Sequence, residues 1–82
     1  MVKMKMIWPK VFTDDGYIPG SVEEAEVSLL TMQALLLTGN KIPENFGKGC
    51  VELSKILGRN MVSKAMSEVG NTLSPSMREH DR

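Results

Sequence analysis

The segment from Ser21 to Thr38 carries apolar residues on two faces of a single helix, and this doubles the surface that the rest of a short chain must cover. At about 100° per residue, Val22, Ala25, Leu29, Met32 and Leu36 form one stripe and Val27, Leu30, Ala34 and Leu37 form another. Glu26 and Gln33 divide them. The start is marked by Ser21-Val22-Glu23-Glu24, a capping box in which the serine hydroxyl takes an orphan amide and the Glu24 carboxylate reaches back. Glu23, Glu24 and Glu26 also lie near the positive end of the helix dipole, and Gly39-Asn40 supplies a left-handed stop. A surface helix of a small domain needs one buried stripe. A helix with two is either sandwiched inside its own fold or pressed against a second copy, and in a chain of 82 residues the second copy is favoured.

Size sharpens this expectation. A chain of 9.1 kDa buries only about 63% of its unfolded surface, a marginal fraction. The usual staples are missing: the lone cysteine, Cys50, cannot close an intrachain disulfide, and the lone histidine, His80, cannot complete a Cys/His metal set. The sequence therefore predicts no metal and no cofactor. Its longest apolar cluster, Val22 to Leu37, is interrupted by Glu26, Ser28, Thr31 and Gln33, which argues against a membrane span. Met1 to Trp8 alternates Lys3 and Lys5 with apolar residues and meets Pro9, unlike a secretory leader. A cytoplasmic protein without membrane contact is expected.

Three stretches follow from the local patterns. Residues 1–20 read as an extended N-terminal arm: Val2, Met4 and Met6 alternate with lysines as in a short strand, and Val11-Phe12 reads as a second short extended piece, enough for a short β-hairpin. Asp14-Asp15-Gly16 marks a turn, and Tyr17-Ile18-Pro19-Gly20 runs extended, as the residue before a proline prefers.

Residues 21–70 read as the helical core. After the long helix, Ile42-Pro43 opens a second one, with Phe46, Cys50, Leu53 and Leu57 on one face and Lys48, Glu52, Lys55 and Arg59 on the other. Gly47 and Gly49 either weaken its beginning by roughly 1 kcal/mol each, let another backbone approach, or shift the start toward Cys50. Gly58 ends it, Asn60 caps a third helix lined inside by Met61, Val62, Ala65, Met66 and Val69, and Gly70 stops that helix. Residues 71–82 are expected to be a mobile polar tail. The fold class is mainly α: a small three-helix domain with an extended arm, completed by homo-oligomerisation.

Charge is balanced at ten bases and ten acids, yet the signs are segregated. Asp14 to Glu26 holds five acids and no base, while Lys41 to Lys64 holds five bases against Glu44 and Glu52. Within the basic stretch, Phe46-Gly47-Lys48-Gly49-Cys50 has a trace of phosphate-cradling chemistry but lacks the spacing of a Walker motif. Glu52-Leu53-Ser54-Lys55-Ile56-Leu57-Gly58 resembles the first helix and turn glycine of helix-turn-helix DNA readers, with Ser54 as the small residue four before the glycine. That family places apolar residues one and six positions after the glycine, where this chain has Arg59 and Lys64. Lys48, Lys55, Arg59 and Lys64 are nonetheless the residues that would meet phosphates of a nucleic acid, or a small anionic ligand held between subunits.

Catalytic inventory is poor. Cys50 lies on an apolar helix face and reads as core, His80 lies in the tail, and the pairs Asp14-Asp15 and Glu23-Glu24 sit at a turn and a helix start where carboxylates are solvated. Seven methionines include Met32, Met61 and Met66 on predicted apolar faces, where they serve as adaptable filler or as a partner surface. Trp8 is either an interface anchor or the lid of a small core. Taken together these features predict no enzyme but a small helical interaction protein, an adaptor or inhibitor occupying a surface of another macromolecule. Compact chains of this kind are frequent among accessory proteins of phages and mobile elements. Self-association is assigned to Val27, Leu30, Ala34 and Leu37, and contact with a partner or anion to Trp8, Lys48, Lys55, Arg59 and Lys64. The alternatives are a nucleic-acid-binding regulator and an oligomer that sequesters a small anion.

Overall fold

The computed structural model describes residues 7–73. The expected strand at Val2, Met4 and Met6, His80, and the tail from Ser74 onward lie outside the described residues. Four helices follow in order, α1 (Lys10–Thr13), α2 (Val22–Leu37), α3 (Phe46–Leu57) and α4 (Arg59–Leu73), with no strand among the described residues.

One half of the capping box forms as its spacing predicts, and the other reaches one residue further back than the N-cap. Ser21 is extended (φ −157°, ψ 165°) and its hydroxyl accepts the Glu24 N–H at 3.1 Å. The Glu24 carboxylate reaches back past Ser21, accepting the Gly20 N–H at 2.9 Å and the Tyr17 hydroxyl at 2.5 Å. Ser21 thus caps the helix, and Glu24 fixes the angle at which the preceding loop enters it. At the other end the Thr38 hydroxyl donates to the Ala34 carbonyl (2.9 Å), Asn40 Nδ2 donates to the Leu35 carbonyl (3.2 Å), and Gly39 takes φ +79°, the left-handed conformation that terminates α2.

The arm departs from expectation. Lys10 to Thr13 forms one helical turn where an extended piece is predicted at Val11-Phe12, and this turn is closed by Phe12 N–H to Pro9 O (2.9 Å) and Asp14 N–H to Lys10 O (2.8 Å). Burial explains the difference. A pleated pair would send Val11 and Phe12 to opposite faces, whereas the turn lets both be buried, Phe12 completely. Phe12 stacks on Phe46 at 5.4 Å between ring centroids, and the edge of Trp8 packs on both rings at 5.5 and 5.8 Å. The arm is therefore part of the core and supplies its deepest aromatic.

Helix α3 begins at Phe46, with Ile42-Pro43 left in the loop and the Phe46 N–H bonded to Pro43 O (3.2 Å). Placing the first helical residue at Phe46 brings its ring onto Phe12. Gly49, in the first turns of α3, is buried beneath the Phe12 ring, so of the three readings of that glycine the close approach is the one realised. Helix α3 packs on α1, α2 and α4, and α2 packs on α4. Phe12, Met32 and Leu53 fill the centre, with Ala25, Leu29, Val62 and Ala65 around them.

One residue, Gly58, joins α3 to α4. Its φ of +96° and ψ of 145° are open only to glycine without strain, and the helix resumes at Arg59, so Asn60 lies inside α4 instead of capping it. Gly70 does not stop α4, which continues to Leu73. Only a glycine that turns to positive φ ends a helix in this way, and Gly70 keeps a negative one. The expected inner face of α4 is narrower than predicted: Val62, Ala65 and Val69 are buried, while Met61 and Met66 are 45% and 36% exposed.

Candidate interaction surface

The two stripes of α2 differ in burial, though not along their whole length: Val22, at the start of the first, is 52% exposed, and Leu35, in neither stripe, is buried. Ala25 and Met32 are fully buried, whereas Val27, Leu30 and Leu37 are 61%, 64% and 40% exposed. Ala34, between them, is half-buried. The chain covers α2 with α3 and α4 on one side and leaves the Val27, Leu30, Ala34, Leu37 face open. Gln33, read from the sequence as a divider, joins α2 to α4: its Nε2 donates to the Ala65 carbonyl (3.1 Å) and to Glu68 Oε1 (3.2 Å). Beside this link runs an open groove of about 340 Å³ whose apolar walls are Leu30 and Met61 and whose rim carries Glu26, Lys64 and Glu68. Met61 extends the exposed apolar face from α2 onto α4. Its position one residue outside the Val62, Ala65, Val69 spacing is the signal that would have placed it there.

Lys48, Lys55 and Arg59 lie along one side of α3, where the hollow at Lys48 and the depression at Lys55 and Arg59 are both lined by Val51, and Lys64 does not join them. Lys48 pairs with Asp15 (3.3 Å) beside a small hollow of about 200 Å³ that Tyr17, Asn45 and Glu52 also line. Lys55 pairs with Glu52 at 3.3 Å, and with Arg59 it borders a shallow depression floored by Cys50, Val51 and Ser54. Lys64 stands apart on the α2–α4 groove. Both ion pairs are exposed at the lysine, where such pairs contribute little to stability. The resemblance to a helix-turn-helix also weakens in three dimensions, since that motif joins its helices by a turn of three to four residues and here Gly58 is the whole connection.

Trp8 is half-buried over Phe12 and Phe46, and its indole N–H donates to the Lys41 carbonyl at 3.0 Å. It serves as the lid of the aromatic cluster. Cys50 is half-buried and its only perturbation is burial, which pushes the thiol above its ordinary range and away from nucleophilic reactivity. The Tyr17 hydrogen bond, followed by the Gly20 N–H, holds the Glu24 carboxyl below the usual carboxylate range, and the same bond raises the Tyr17 phenol. These groups are tied up in the cap. Among the described residues no three His, Cys, Asp or Glu side chains are grouped to hold a metal ion, and no helix is long and apolar enough to cross a membrane.

Comparison with protein-family models, with curated proteins and with solved structures finds no match to this chain.

Proposed function

We propose that this chain is a non-enzymatic interaction protein that works as a homo-oligomer, in the manner of a small adaptor or inhibitor that occupies a surface of another macromolecule. The observation that carries the reading is the outer face of α2, where Val27, Leu30 and Leu37 stand exposed directly across the helix from the fully buried Ala25 and Met32. Exposed apolar residues scattered singly are ordinary, but a row of them along one helix, continued by Met61 on the neighbouring helix, is the mark of an association surface. A basic nucleic-acid interface is less favoured, because Lys64 lies apart from Lys48, Lys55 and Arg59 and two of those three face carboxylates.

The test is light scattering on the purified chain and on the double variant Leu30→Glu, Leu37→Glu, with absorbance read at 260 and 280 nm. The wild type should elute as an oligomer free of nucleic acid. Because both positions are exposed, the variant should keep its helical circular dichroism and fall to monomer mass. An unchanged mass would remove the α2 face as the association surface, and co-eluting nucleic acid would shift the function to the basic residues.

A further inference from the structure

We draw no further inference here: the strongest candidate, the open groove between α2 and α4 walled by Leu30 and Met61, belongs to the exposed face of α2 already described, and nothing in the structure shows what covers it.

Discussion

The ring of Phe12 occupies the space that a side chain on Gly49 would need. A Cβ placed on Gly49 would press on one carbon of the ring and lie 2.8 Å from a second and from the Val11 carbonyl oxygen. Ring and backbone are both held, one by Trp8 and Phe46 and the other by the turn at Pro9. Gly49→Ala should therefore destabilise the fold by about 1–3 kcal/mol through overpacking. Gly47→Ala, with open space around it, should be neutral or stabilising by up to about 1 kcal/mol. Urea titrations of the two variants check the contrast, and equal effects would refute the close-approach role of Gly49.

Removing the ring itself is a larger change. Phe12 and Leu53 are fully buried in the central cluster, and Phe12→Ala should cost about 3–5 kcal/mol and Leu53→Ala about 2–5 kcal/mol. A Phe12→Ala chain as stable as the wild type would mean that the arm contributes no core.

Trp8 is bound by two different forces, ring packing and one hydrogen bond. Trp8→Phe keeps an aromatic edge for Phe12 and Phe46 but gives up the 3.0 Å bond to the Lys41 carbonyl, and should lose about 0.5–1.5 kcal/mol. Trp8→Ala should lose clearly more. If the two variants were equally stable, packing by the indole would be of no account.

The cap at the start of α2 should respond to acid and to alkali in opposite senses. Glu24 titrates below its ordinary range in the folded chain, so its contribution is present above roughly pH 4 and is lost as pH falls through the lowered value. Tyr17 titrates above its ordinary range, so its contribution is present below roughly pH 10 and is lost as pH rises through the raised value. Glu24→Gln and Tyr17→Phe should each lower the melting temperature at pH 7, and the deficit should shrink at pH 3 for Glu24→Gln and above pH 11 for Tyr17→Phe. Deficits that stayed constant across pH would show that the hydrogen bond between the two is immaterial.

Helix α2 was legible from the sequence at both ends, because Ser21, Glu24 and Gly39 act through bonds and dihedrals set within a few residues of themselves. The open stripe was legible for the same reason: helical periodicity alone separates Val27, Leu30, Ala34 and Leu37 from the buried face. The turn at Lys10 to Thr13 was not, since four residues carry no period and their conformation is decided by Phe46, more than thirty positions away. Gly49 could be narrowed to a few roles but not assigned, for the ring above it comes from α1. Gly70 was misread because a glycine ends a helix by its dihedral angle, which composition does not reveal. Of the basic residues only Lys64 is set apart, by the packing of α4 against α2, a relation that its spacing from Lys48, Lys55 and Arg59 does not contain.

The one-residue corner at Gly58 also bears on the order in which the molecule assembles. Two helices joined without a loop can meet with almost no closure entropy, whereas α1 reaches α3 only by closing a span of more than thirty residues. The α3–α4 pair is then expected to form before the rate-limiting barrier and the aromatic lid after it. Folding and unfolding rates in urea distinguish the two: Gly58→Ala should mainly slow folding and Phe12→Ala should mainly speed unfolding, and the reverse partition would place the arm, not the corner, in the nucleus.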